Sequence, residues 1–128
     1  MGNLISFVTK GSFEKTERLL KKNLNMDLDT YLKKFGERGV VALSEATPVD
    51  SGLTADSWYY EIERTDDQIT IHWLNSNVVD DWYNVALMIQ YGHATRNGGY
   101  VKGVDYINPA LRTIFDDMAA EIWKEVNS

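Results

Sequence analysis

The sequence predicts a single-domain α+β fold in which an antiparallel β-sheet, based on a hairpin, packs against two or three helices, including a long C-terminal helix. Two changes of pattern carry this prediction. The hydrophobic period falls from about 3.6 residues to 2 after the turn cluster TPVDSG at 47–52, and it returns to helical spacing after Pro109. A length of 128 residues with 44% hydrophobic residues is enough for one domain with a buried core.

Two helices are predicted over residues 12–46. The first begins at Ser12, which is a good N-cap residue, and the second runs from about Asp29, with Asp27 or Asp29 as its cap. Apolar residues recur along the second helix at roughly helical spacing, at Leu28, Leu32, Phe35, Val40 and Leu43.

Two glycines interrupt the second helix, and a proline ends it. Gly36 and Gly39 each weaken a helix by about 1 kcal/mol relative to alanine, so we interpret them as points of close packing rather than as a break. Pro48 disfavours helical geometry at Thr47, which places the end of the helix there.

A β-hairpin is predicted over residues 55–75. In its first strand the apolar residues alternate with more polar ones, and the segment QITIHWLN (68–75) repeats the alternation after a short turn at 65–67. Ile69, Ile71 and Trp73 are expected on one face of the second strand. An isolated hairpin is marginal in water, so further elements must cover this face.

The C-terminal third combines an ambiguous segment, a glycine-rich loop and a clear helix. Residues 82–91 fit either a short helix or a buried strand, and the helix is favoured, with Asp80 or Asp81 as its cap. Residues 92–106 contain four glycines and no continuous apolar run, which predicts a flexible loop. The last helix is predicted over 108–126.

That last helix is the most strongly marked element. Asn108 is expected as its N-cap, and Pro109 suits the first helical position. Leu111, Ile114 and Met118 follow at spacings that place them on one face.

Charge and composition limit the possible functions. The net charge is −6, and it is uneven: residues 1–46 carry eight Lys/Arg and six Asp/Glu, whereas residues 47–128 carry five and thirteen. Nucleic-acid affinity depends on neutralising phosphates, so a broad nucleic-acid-binding surface is not expected. The chain has no cysteine, which excludes disulfides and thiol catalysis, and no apolar run long enough to span a membrane.

No catalytic arrangement is visible. His93 and Arg96 lie together in the glycine-rich segment, but no nucleophile or second histidine stands at a recognisable spacing from them. An enzyme that uses His93 and Arg96 is therefore the weakest alternative. A small-ligand or carbohydrate-binding module that uses exposed aromatic residues is a second alternative. Neither a metal nor a cofactor is predicted.

Ten residues are instead predicted to form an interaction surface. The glycines and Arg96 of the segment GHATRNGG could shape an anion-binding nest, and aromatic residues are enriched at subunit interfaces. The residues are Tyr91, Gly92, His93, Arg96, Gly98, Gly99, Tyr100, Lys102, Trp58 and Tyr60.

Three segments together resemble one protein family. ATPVDSGLTADSW (46–58) resembles the Ala-x-Pro-x-Asp-Thr/Ser-Gly-x-Leu-x-x-Ser signature of the tail-completion, or head–tail joining, proteins of long-tailed double-stranded DNA phages. NVALMIQYGHAT (84–95) is similar to that family's Tyr-Ala-x-x-Val-Glu-Tyr/Phe-Gly-Thr element, with Gln90 in the place of the usual glutamate. YVKGVDYINPAL (100–111) is similar to its loop ending in Phe-Leu/Ile-x-Pro-Ala-Leu before the final helix.

The resemblance implies a non-enzymatic virion protein of the phage neck, assembled in the host cytoplasm. It implies a homo-oligomer, commonly a hexameric ring, between the head connector (or adaptor) and the tail tube. DNA would pass through the lumen without specific binding, and an acidic lumen would repel its phosphates. The loop 92–106 would become ordered against a neighbouring subunit or the tube. No membrane association is expected.

Overall fold

The computed structural model describes residues 5–10, 27–48, 52–65, 68–81 and 83–126. The helix predicted from residue 12 to about 24 lies outside these residues. The predicted α+β class is confirmed. In chain order, the described elements are β1 (Ile5–Lys10), α1 (Leu28–Ala46), α2 (Gly52–Ala55), β2 (Trp58–Arg64), β3 (Gln68–Asn75), β4 (Val78–Val79), β5 (Tyr83–Asn84), α3 (Val85–Tyr91), β6 (Gly92–Ala94), β7 (Tyr100–Lys102) and α4 (Ile107–Val126).

The main sheet is antiparallel and has the strand order β1-β3-β2. The predicted hairpin pairs Trp58 with Asn75 at one end and Arg64 with Ile69 at the other. Strand β1 was not predicted, and it pairs with the other side of β3, from Ile5 opposite Trp73 onward. Its signal in the sequence is short, and its partner lies some 60 residues away, so local pattern alone did not reveal it.

Strand β3 is central and is buried on both faces over much of its length. Ile69, Ile71 and Trp73 are buried on the face that the alternation predicted. Thr70 on the opposite face is also buried, whereas His72 is half-buried and lies 3.3 Å from a Glu63 carboxylate oxygen. Strand β3 therefore contributes buried side chains from both of its faces, whereas the alternation predicted burial on one face only.

Helix α1 has the predicted start and end. The Asp27 carboxylate caps it by accepting the N–H of Thr30 at 2.7 Å. At its end, the Thr47 hydroxyl donates to the Leu43 carbonyl at 2.6 Å and accepts the indole N–H of Trp58 at 2.9 Å. This buried chain of hydrogen bonds joins the end of α1 to the start of β2.

Two aromatic rings lie directly against the backbone of α1. A Cβ at Gly36 would come within 2.5 Å of the Tyr60 ring, and a Cβ at Gly39 would overlap the indole of Trp73. The indole Nε1 of Trp73 donates to the Gly36 carbonyl at 3.0 Å. The helix is continuous through both glycines, which confirms that they are points of close packing.

The turn segment after α1 is held by side-chain amides at the end of β3. Asn75 donates from its buried amide to the Thr54 carbonyl at 2.9 Å, and Asn77 donates to the Thr54 hydroxyl at 2.9 Å. The Asn75 amide oxygen also accepts the N–H of Asn77 at 2.9 Å. Part of the segment 46–58 therefore has a structural role, because it fixes α2 against the sheet.

A tight turn connects β4 and β5. Asp80 and Asp81 have φ values of 54° and 65°, in the left-handed region that aspartate tolerates better than most residues. The prediction that one of them caps the next helix is wrong. Asn84 caps α3 instead, with its side-chain oxygen 3.3 Å from the N–H of Leu87.

Helix α4 packs across α1. Lys34 contacts Glu121 at 2.9 Å and Arg38 contacts Asp117 at 2.6 Å, and such partly exposed pairs each contribute up to about 1 kcal/mol. Most of the adhesion comes from apolar side chains of both long helices and of β3, all of them buried: Leu28, Tyr31, Leu32, Phe35, Leu43, Ile69, Ile71, Trp73, Leu111, Ile114 and Met118.

Candidate functional site

The predicted loop 92–106 contains a small antiparallel hairpin. Strand β6 pairs with β7, with Gly92 opposite Lys102 and Ala94 opposite Tyr100. The tip is closed by backbone bonds from Thr95 N–H to the Gly99 carbonyl at 2.9 Å and from Gly98 N–H to the Thr95 carbonyl at 3.3 Å. The segment is therefore a hairpin and not the irregular loop that was predicted. Its strands pair through main-chain groups, which the low apolar content of the sequence does not reveal. We call residues 91–104 the arm.

The arm is rooted where two glycine backbones cross. Gly92 ends α3 with a φ of 82°, and its N–H donates to the Met88 carbonyl. A Cβ at Gly103 would lie 2.5 Å from the Gln90 carbonyl oxygen and 2.8 Å from the nitrogen of Gly92. One residue on, Val104 N–H donates to the Ile89 carbonyl at 2.9 Å. The two ends of the arm are thus in direct contact.

A buried glutamine ties this root to the last helix. The Gln90 side-chain oxygen accepts the backbone N–H groups of Tyr106 and Ile107, both at 3.0 Å, and its amide nitrogen donates to Asp105 at 2.7 Å. Gln90 therefore satisfies donors that a helix start leaves unpaired. Helix α4 begins at Ile107, so the prediction of Asn108 as its N-cap is wrong. A distant side chain fulfils that role.

Tyr106, which follows the arm, is buried next to Gln90. Its hydroxyl donates to the Ala86 carbonyl at 2.8 Å, and burial raises the pKa of Tyr106 well above its usual value. The neutral phenol is thus the form that the folded chain accommodates.

Alkaline pH should therefore destabilise the protein through Tyr106. The unfolded tyrosine ionises near pH 10, while the folded one stays protonated, so the free energy of unfolding falls as pH rises above about 10. In Tyr106→Phe, urea unfolding should show a loss of about 1 kcal/mol at pH 7 and a shallower decline between pH 9.5 and 11. An unchanged decline would contradict the assignment.

The arm exposes apolar and basic side chains. Tyr91 and Tyr100 are 68% and 66% exposed, and the Tyr100 hydroxyl donates to the Tyr91 carbonyl at 3.0 Å. Val101 and Val104 are also exposed, and no Asp or Glu occurs between 82 and 104. Exposed aromatic residues beside positive charge are typical of protein interfaces.

Eight of the ten predicted site residues lie in the arm. Arg96, Gly98 and Gly99 lie at its exposed tip, and His93 and Lys102 lie on its strands. Val101, Val104 and Gly103 were missed, although Gly103 carried a signal as a glycine placed symmetrically to Gly92 about the arm. Gln90 was missed too, and its signal was a lone polar residue in the apolar run VALMIQY.

The other two predicted residues lie elsewhere. Trp58 is buried, with its indole N–H bonded to Thr47, and the half-buried Tyr60 packs on Gly36. The structure therefore places Trp58 largely in the core, and both residues line a groove between β2 and α1.

His93 lies on strand β6 of the arm. The Nδ1 atom of His93 is buried and has no hydrogen-bond partner among the described residues, and Val101 lies opposite it in the ladder. Within the described ranges, no group of three or more His, Asp or Glu side chains could hold a metal ion. No helix in those ranges is long and apolar enough to cross a bilayer.

Comparison of the chain with protein-family models, with curated proteins and with solved structures gives no significant match.

Proposed function

We propose that this chain is a structural subunit of a phage neck, a tail-completion or head–tail joining protein that forms a ring between the head connector and the tail tube. The observation that carries the proposal is the arm, which is firmly rooted and exposes two tyrosines and two valines. Such a surface on a small acidic domain suits assembly with other subunits.

The three segments that resemble the joining family support the same proposal. Residues 46–58 connect α1 to β2, residues 84–95 form α3 and β6, and residues 100–111 run from β7 into α4. Two of the three segments therefore contribute the root and strands of the arm. The resemblance and the exposed surface thus converge on one part of the molecule.

In this proposal the ring is a hexamer in the virion neck, built in the host cytoplasm, with the connector above and the tube below. DNA passes through the lumen without specific binding, because the net charge of −6 repels phosphates. The arm meets a neighbouring subunit or the tube. Since β6 and β7 are already paired and main-chain hydrogen bonds close the tip at 95–99, the arm meets its partner in a preformed state, and the predicted ordering of loop 92–106 on assembly is not proposed.

The proposal predicts a ring and a joining defect. Light scattering and electron microscopy of the purified chain should show closed rings of about six times the 14.6 kDa subunit mass at high protein concentration. In a phage that encodes this chain, a nonsense allele should yield separate filled heads and complete tails, and the added protein should join them.

Normal joining without the protein would contradict the proposal. The same holds if the chain stays monomeric and binds neither connector nor tube. A ligand-binding module would instead change its tryptophan fluorescence on adding a sugar or nucleotide, with no effect on assembly.

A further inference from the structure

We infer that the arm of one copy of this chain docks on the open edge of strand β2 and the adjoining groove of a second copy. This inference rests on the proposed ring-forming role and names the contact that builds the ring. The two surfaces belong to different parts of the subunit, so the contact is head-to-tail, and such a contact closes a ring when the rotation between neighbours divides a full turn.

The first surface is the edge of the sheet at β2. Within the described part of the sheet, β2 pairs only with β3, so its outer main-chain groups face away from the sheet. An edge strand of this kind is a template for another strand. Glu61 and Glu63 are exposed along it and lie on the face opposite α1.

The second surface is the groove between β2 and α1. It has a volume of about 400 Å³ and is lined by Val40, Val41 and Tyr59 as well as Glu37. Val41 is 55% exposed, so the groove offers an apolar floor. Glu37 has no ion pair within the described ranges, and its charge adds to burial in raising the pKa of Tyr60. The groove is thus apolar and carries one carboxylate, that of Glu37.

Charge selects the occupant of this surface. A second β2 edge would place Glu61 and Glu63 against like charges, which is unfavourable in an antiparallel pair. The arm carries Arg96 and Lys102 and no acidic residue, whereas the rest of the chain holds all 19 Asp and Glu against 11 Lys and Arg. Among the strand pairs whose side chains the structure describes, the arm is therefore the most basic that a second copy can offer.

The backbone and side chains of the arm fit the same surface. Strands β6 and β7 form a two-stranded sheet of their own, so an outer edge is available to continue the β2 ladder. Because side chains alternate along β7, placing Lys102 beside the two glutamates of β2 leaves Val101 facing the groove. Tyr100 shares the face of Lys102 and comes to lie near Tyr59, which lines the groove at the strand edge. Docking would bury apolar surface and pair unlike charges at once.

Charge reversal of the full-length chain tests the contact. Sedimentation velocity at 50 mM and 500 mM NaCl should show weaker self-association at high salt. At low salt, R96E/K102E and E61K/E63K should each raise the dissociation constant at least tenfold, because like charges then meet. An equimolar mixture of the two variants should recover association to within about threefold, since each arm again faces an opposite charge.

Matched controls separate this contact from general charge effects. R112E/K124E makes the same change of net charge as R96E/K102E, at exposed positions on α4, and should leave the dissociation constant within threefold. Circular dichroism should show all variants folded, as expected for exposed positions. Failure of the mixed variants to recover overturns the inference, and so does a wild-type chain that is monomeric at 50 mM NaCl.

The same experiments distinguish failure of the inferred contact from failure of the proposed function. If wild-type rings form and join heads to tails, but neither R96E/K102E nor E61K/E63K changes the dissociation constant, the inference falls and the proposed function stands. If the reversals behave as expected but the chain never joins heads to tails, the contact is real and the neck assignment falls.

Discussion

Alanine at position 39 is expected to lower the free energy of unfolding by about 2–3 kcal/mol. A Cβ there would overlap the indole of Trp73, which is fully buried and bonded through Nε1 to the Gly36 carbonyl. Overpacking costs about 1–3 kcal/mol, and loss of the buried hydrogen bond costs about 1–3 kcal/mol more. The higher helix propensity of alanine returns about 1 kcal/mol. Urea unfolding followed by tryptophan fluorescence measures the sum.

Gly52→Ala is the matched control for this prediction. Gly52 begins α2, is exposed, and has no heavy atom within 4 Å of an added Cβ. Its replacement should leave stability unchanged or raise it by up to about 1 kcal/mol. Equal stability of the Gly39→Ala and Gly52→Ala variants would show that α1 does not rest on Trp73 as described.

Gln90→Leu is expected to destabilise the chain by about 2–4 kcal/mol. The leucine fills a similar space but leaves the backbone N–H groups of Tyr106 and Ile107 without an acceptor. Each buried donor without a partner costs about 1–3 kcal/mol, and the apolar side chain recovers part of this. Urea unfolding measures the loss, and hydrogen exchange at residues 106 and 107 should accelerate more than elsewhere in α4.

Two further variants separate the acceptor role from the loss of a polar side chain. Gln68→Leu removes a half-buried amide whose bond to Thr70 is long, at 3.3 Å, and should cost under about 1 kcal/mol. Gln90→Glu keeps an acceptor for both N–H groups, but its charge is repelled by Asp105. The repulsion raises the pKa of the new carboxyl, so this variant should be destabilised less as pH falls. Equal losses in Gln90→Leu and Gln68→Leu would refute the capping role.

The spacing of apolar residues was sufficient to predict the buried face of an element whose type is set by its own sequence. The alternation at 68–75 predicted the buried face of β3, and the spacing of Leu111, Ile114 and Met118 predicted the buried face of α4. It was insufficient for β1, because six residues with weak alternation become a strand only through pairing with β3. The buried Thr70 shows the same limit, since burial on the second face depends on the tertiary arrangement.

The candidate site was located from sequence, but its form was not. Glycines and tyrosines between 91 and 102 identified the arm, whereas its hairpin rests on main-chain pairing that side-chain pattern does not report. Trp58 was assigned to an interaction surface because aromatic residues are enriched at subunit interfaces. It proved to be the residue that bonds Thr47 at the end of α1.

The crossing of Gly92 and Gly103 has a consequence for the thermodynamics of assembly. Restricting a backbone costs about 1–2 kcal/mol of conformational entropy per residue, and the six residues of β6 and β7 lose this freedom when the chain folds. Because the arm is already ordered in the free chain, it can bind a partner without a large further loss of conformational entropy. In the proposed ring assembly, free subunits are kept apart by dilution and by repulsion between their net negative charges, rather than by disorder in the arm.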